Sequence, residues 1–110
     1  AVLTCLGNDI GYDNIFSHQL KVKASQSDVL LVLSGSGNSP NILNALQQAN
    51  ELGLHTVAIL GYSGGKAKSL AKLAIHFAID DMQISEDLQL IVGPMLMRQM
   101  AKLNRDATND

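Results

Sequence analysis

Residues 30–46 read LLVLSGSGNSPNILNAL. An apolar run stops at a loop made almost wholly of serine, glycine and asparagine, and a helical pattern starts after it. The run Val29–Leu33 is continuous rather than alternating, as in a parallel strand covered on both faces. Ser39-Pro40 marks a helix start. Serine suits the N-cap, and the fixed φ and missing N–H of proline suit the first helical position. Ile42, Leu43, Ala45, Leu46, Ala49 and Leu52 follow at helical spacing. Gly53 then ends the helix as a left-handed cap.

The same alternation continues downstream. HTVAIL, 55–60, reads as a second buried strand, and GYSGGKAKSLAKLA as a glycine-rich loop entering a short helix. IHFAI, 75–79, reads as a third strand. DDMQISEDLQLIVGPMLMRQMAKL reads as a long helix with Leu88, Ile91, Val92, Met95, Leu96 and Met100 at core spacing. Ser85, Glu86 and Asp87 predict an acidic first turn that suits the helix dipole. Pro94 predicts a kink or break, and NRDATND a polar tail. Upstream, residues 1–7 suit a short helix or a strand. Gly7-Asn8-Asp9 and Gly11-Tyr12-Asp13-Asn14 carry turn chemistry. A short helix follows from Asn14, with Asp13 or Asn14 as its N-cap. Strands alternating with helices predict an α/β fold, a parallel sheet flanked by helices in three layers.

A chain of 110 residues holds one domain, spanning 1–110. Its 46% hydrophobic content is enough for a core. A net charge of −2 with scattered basic residues argues against a nucleic-acid partner. Lys66, Lys68 and Lys72 read as a solvated helix face. No apolar run reaches the roughly 18 residues that span a membrane. The single cysteine, Cys5, precludes an intrachain disulfide and reads as a small core hydrophobe. A soluble cytoplasmic protein is expected. The chain lacks an initiating Met and opens on an amphipathic pattern already under way, which predicts a start inside a domain.

The loop Ser34–Ser39 falls where open α/β sheets bind ligands, beyond the carboxyl end of a strand. The first N–H groups of the next helix and its dipole favour an anion there. Gly35 and Gly37 let the backbone come close, and Ser34, Ser36 and Ser39 add hydroxyl donors. A Walker loop needs a Gly-Lys-Ser/Thr that is absent. A dinucleotide fingerprint needs G-x-G-x-x-G, whereas this loop has Pro40 at the last glycine, and no acidic residue ends the next strand at Leu60. With no lysine or arginine in the loop, neutral donors must hold the anion, as for a sugar phosphate exchanging at moderate affinity. A lone capping serine would mean only a plain turn; three serines and two glycines in six residues favour phosphate.

Taken together, GNDIGYDNIFSHQL, DVLLVLSGSGNSPNILNALQQANELGLHTVAILG and GYSGGK resemble the sugar isomerase (SIS) domain family, in its phosphoheptose isomerase branch. The resemblance implies a flavodoxin-like parallel sheet and a homotetramer. It implies that Ser34, Ser36 and Ser39, with Gly35, Gly37 and Asn38 between them, hold the substrate phosphate. The family has Thr where this chain has Gly35. Asp9, in the matching GND segment, and Gln83, where the family places an Asp, would lie near substrate. The implied reaction converts sedoheptulose 7-phosphate to D-glycero-D-manno-heptose 7-phosphate by enediol proton transfer between a carboxylate base and an imidazole acid, a step in heptose biosynthesis for lipopolysaccharide.

Departures from the family pattern bear on catalysis. The family's glutamate base lies in a segment before the position matching Ala1. Its two histidines near the chain end fall on Gln89 and Pro94, and Glu86 replaces a glutamine that joins a zinc site in some relatives. No catalytic residue is assigned and no cofactor is expected. The alternative is a non-catalytic SIS module that senses a sugar phosphate or scaffolds a protein partner. Elsewhere, His18, His55 and His76 show no metal-ligand spacing. Asp80-Asp81 reads as a turn, with contact to a sugar hydroxyl as the second reading. Gly64-Gly65 with Lys66 reads as a flexible turn, or else as a cover over a phosphate.

Overall fold

The computed structural model describes residues 1–109. Helix α1 spans Val2–Ile10, and a 3-10 turn at Tyr12–Asn14 leads into α2, Ile15–Lys23. Then come β1 (Val29–Ser34), α3 (Pro40–Glu51), β2 (His55–Leu60), α4 (Ala67–Leu70), β3 (Leu73–His76) and α5 (Met82–Thr108). The three strands are parallel in the order β1-β2-β3, with Val29 opposite His55 and Val57 opposite Leu73. This is the expected α/β sheet between helical layers.

One face of the sheet carries the core. Val32, Ala58 and Leu60 meet Leu46 of α3 and Ala67 of α4, with Leu30, Ile42, Leu43, Ala71 and Ala74 around them. The α3 helix ends as the sequence requires. Gly53 has φ 80°, and its N–H donates to Asn50 O while Leu54 N–H donates to Ala49 O. These two bonds are the Schellman pair, and they turn the chain straight into β2. Thr56, buried beneath that turn, donates to Asn50 Oδ1 at 2.9 Å and accepts from Lys72 N–H at 3.0 Å, so its hydroxyl is satisfied.

The opposite face is only partly covered. Helix α5 crosses it at β2, where Gln89 Nε2 donates to Ile59 O and Val92 is buried. The continuous apolar run therefore does not mean two covered faces: Leu31 is 43% and Leu33 50% exposed, while Val32 between them is buried. Of the apolar positions on α5, Ile91, Met95, Leu96 and Met100 are exposed as well.

Several local expectations change. Gly7-Asn8-Asp9 lies inside α1 rather than in a turn, since its i to i+4 bonds close around the small glycine; the turn is at Gly11, with φ 85°. The third strand is Leu73–His76 rather than 75–79, because β3 pairs with β2 only as far as His76. The N-cap of α5 is Asp81, whose Oδ1 accepts from Ile84 N–H at 2.9 Å, and the first turn holds no acidic residue. Ser85, Glu86 and Asp87 fall beyond it. The helix continues through Pro94 and through most of the polar tail to Thr108. Pro94 lies on an exposed stretch, where its missing N–H leaves the Leu90 carbonyl to water.

A one-sided core has a measurable consequence. Leu46→Ala should lower the unfolding free energy by about 2–5 kcal/mol, and Leu31→Ala by under about 1 kcal/mol, both read from urea titrations. Equal losses would contradict the one-sided core.

Candidate functional site: a serine loop braced by a glycine loop

The site is built where β1 and β2 end. Ser34 closes β1 with its side chain on the buried face, and Ser34 Oγ accepts from Gly37 N–H at 3.0 Å. Ser36 Oγ accepts from Asn38 N–H at 3.2 Å. These two bonds curl Ser34–Asn38 into a tight loop, with Gly37 at φ 67°. Ser39 stands at the N-cap of α3 with Pro40 behind it, but its hydroxyl makes no capping bond; Asn41 Oδ1 takes the Ile42 N–H instead. Among the described residues, no backbone acceptor meets the N–H groups of Ser36, Ser39 and Asn41. The loop and the first turn of α3 together thus offer three unpaired amide donors and a free hydroxyl. Such a concentration of donors suits an oxyanion.

A second loop, Gly61–Lys66, holds the first in shape. Gly61 N–H donates to Gly35 O at 2.9 Å, Lys66 N–H to Asn38 Oδ1 at 3.0 Å, and Ala67 N–H to Gly37 O at 2.9 Å. The approach is too close for side chains. A Cβ at Gly37 would collide with the Gly64 carbonyl, and one at Gly65 would lie 2.6 Å from Gly37 O. The Gly64-Gly65 pair is therefore not a free turn. It is a brace against the serine loop. Asn38 spends its side-chain oxygen on this brace, which leaves its Nδ2 as donor.

Other sequence candidates fall elsewhere. Asp9 lies on α1, and its carboxylate meets Asn8 Nδ2 at 3.1 Å and Cys5 Sγ at 3.6 Å. Cys5 is exposed there and is not a core residue. Among the described residues no hydrogen bond joins Asp9 to the serine loop. Gln83 is on the first turn of α5 and donates to Asp87 Oδ1 along its own helix. Its neighbour Met82 is the residue that touches the loop: a Cβ at Gly35 would stand 2.6 Å from Met82 Sδ. The contacts of Met82 and Tyr62 with the loop escape sequence reading because they depend on which loops meet; the Gly64-Gly65 pair is the one signal the sequence offers, though not of a brace. His76 is held by Tyr62, with Nε2 2.8 Å from the Tyr62 carbonyl, so that nitrogen carries the proton. Among the described residues, no three His, Cys, Asp or Glu side chains converge as a metal site, and no helix is long and apolar enough to cross a membrane.

The brace can be tested on two glycines. Gly37→Ala should destabilise the chain by at least about 1–2 kcal/mol, the cost of a left-handed Cβ alone, and expose the Lys66 amide to hydrogen exchange. Gly7→Ala, with open space around it inside α1, should stabilise by about 0.5–1 kcal/mol. If Gly37→Ala kept the Lys66 amide protected, the two loops would not depend on each other.

Comparison with known proteins agrees with the fold. The SIS domain description matches residues 1–61, which hold the whole serine loop and β2. The phosphoheptose isomerase of Geobacter sp. (strain M21) is 49% identical over 81 residues, covering 74% of this chain and 42% of that protein. That of Helicobacter pylori (strain P12) is 35% identical over 92 residues, 84% of this chain and 48% of the relative. The chain thus spans about half the length of the curated relatives it matches. Among solved structures, a phosphoheptose isomerase from Neisseria gonorrhoeae superposes with TM-score 0.79 at 34% identity, over 86% of this chain and 54% of that one. One from Francisella tularensis gives 0.77 at 32% identity, over 84% and 50%. Sequence and fold agree, and the chain belongs to the SIS domain family, with phosphoheptose isomerases as its relatives.

Proposed function

We propose that this chain is a phosphosugar-binding unit of the phosphoheptose isomerase kind, and that the loop Ser34–Ser39 receives the phosphate of a heptose 7-phosphate. One observation carries the reading: three unpaired amide donors and the uncapped Ser39 hydroxyl gather in a braced loop and the helix start that follows it, at the carboxyl edge of the sheet. Neutral donors suit an exchanging metabolite, because the dianion meets no fixed counter-charge that would hold it after reaction. Ser36, Ser39 and Asn41 would bind through their amides, and Ser34 through the hydroxyl proton left over from its bond to Gly37. Asp9 and Gln83 would approach the sugar only if their present intrahelical bonds gave way.

The reaction proposed is the interconversion of sedoheptulose 7-phosphate and D-glycero-D-manno-heptose 7-phosphate, in the cytoplasm and on the way to lipopolysaccharide heptose. In such a reaction the cup orients the substrate, and a base and an acid move one proton between adjacent carbons. A second reading, a non-catalytic module that senses a sugar phosphate or scaffolds a partner, is favoured by a particular observation. Gln89 is engaged with Ile59 O, and Pro94 has no group that transfers a proton. Assembly into a homo-oligomer, a tetramer by family pattern, is part of either reading. The exposed Leu31, Leu33, Met97 and Met100 support it.

Titration with sedoheptulose 7-phosphate in D2O, followed by NMR, tests both readings. Binding that weakens about 10- to 100-fold in Ser34→Ala or Ser39→Ala is expected from loss of a charge-assisted hydroxyl contact. Deuterium at the exchanging carbon means isomerase chemistry; binding without exchange means the module. Unchanged affinity in both variants would contradict the phosphate cup.

A further inference from the structure

The brace loop has a second side. Gly64, Gly65 and Lys66 face the serine loop, while Tyr62 and Ser63 line an open pocket of about 440 Å³ with Ala78 and Asp80. Tyr62 joins the two. A Cβ built at Gly35 would lie 4.0 Å from Tyr62 Cε2, so the ring stands between the cup and this pocket.

The geometry of Tyr62 is held against its preference. Its φ is 44°, a left-handed conformation that costs a non-glycine residue free energy. Two bonds from the β3 side fix it: Tyr62 N–H donates to Ile79 O at 3.1 Å, and His76 Nε2–H donates to Tyr62 O. Strain that is clamped from both ends points to a residue whose placement matters. Asp80 differs from its neighbour. Asp81 is spent on the α5 N-cap, whereas among the described residues no donor meets the Asp80 carboxylate, which is exposed beside the pocket.

Charge decides what such a pocket accepts. A free carboxylate repels phosphate and accepts hydrogen bonds from hydroxyls; a phenol and a serine hydroxyl both donate and accept. We propose that the pocket of Tyr62, Ser63, Ala78 and Asp80 is the subsite for the neutral polyhydroxyl chain of the ligand, with Asp80 as its specificity-determining residue. This rests on the reading of Ser34–Ser39 as the phosphate cup. A phosphorylated polyol then lies across the Tyr62 ring, anionic end in the cup and hydroxyls against Asp80.

The test compares two probes, inorganic phosphate and sedoheptulose 7-phosphate, on the full chain and its Asp80→Ala and Asp80→Asn variants, by calorimetric titration. Sedoheptulose 7-phosphate should bind the parent chain more tightly than inorganic phosphate does. Asp80→Ala should weaken the sugar phosphate about tenfold, and Asp80→Asn, which keeps one acceptor oxygen, should recover part of the loss. Inorganic phosphate should bind Asp80→Ala as well as the parent or slightly better, since a nearby negative charge is gone. That opposite response separates a lost hydroxyl contact from a change of field, which would shift both probes alike. If Asp80→Ala binds both probes as the parent does, or tightens both, the subsite is overturned and the cup stands. If neither probe binds the parent chain, cup and subsite fall together.

Discussion

The contact on which the site depends is loop against loop. Lys66 N–H on Asn38 Oδ1 and Ala67 N–H on Gly37 O fasten the turn after β2 to the turn after β1. Glycine makes this possible, because any side chain at 37 or 65 would occupy the space the other backbone fills. Fastened in this way, the serine loop and the helix start after it leave the amides of Ser36, Ser39 and Asn41 without a protein acceptor among the described residues. An array of donors prepared before the ligand arrives costs little reorganisation on binding. The parallel register of β1 and β2 sets up the contact, since Ser34 lies opposite Leu60 and the two turns leave the sheet side by side.

The rest of the fold supports that edge unevenly. On one face, Leu46 and the strand residues beneath it form a dry core. On the other, α5 packs at β2, and β1 shows Leu31 and Leu33. This asymmetry separates two tasks. The covered face fixes the register that places the loops, and the open face leaves apolar surface available for association.

Much of this was legible in the sequence wherever a local rule was decisive. Val29–Leu33, Ser39-Pro40, Gly53 and HTVAIL each specify their structure within a few residues, and β1, α3, its Schellman end and β2 lie where those residues put them. The serine loop was legible for the same reason. The misplaced features depend on distant partners. Gly7-Asn8-Asp9 has turn composition, yet the helix absorbs it. IHFAI has strand composition, but pairing with β2 decides where β3 stops. An apolar run cannot say whether both its faces find cover. The brace was hardest to read, because Gly65 has no neighbour in sequence that announces Ser36 and Gly37.

The central claim is that Ser36, Ser39 and Asn41 present amides for an anion within a loop braced by Lys66. Amide chemical shifts of the 15N-labelled chain, followed during titration with inorganic phosphate, test it most directly. The account predicts saturable shifts at Ser36, Ser39 and Asn41, with a smaller response at Lys66 through the brace. Shifts confined to surface lysines such as Lys21 and Lys23, with those three amides unmoved, would contradict it.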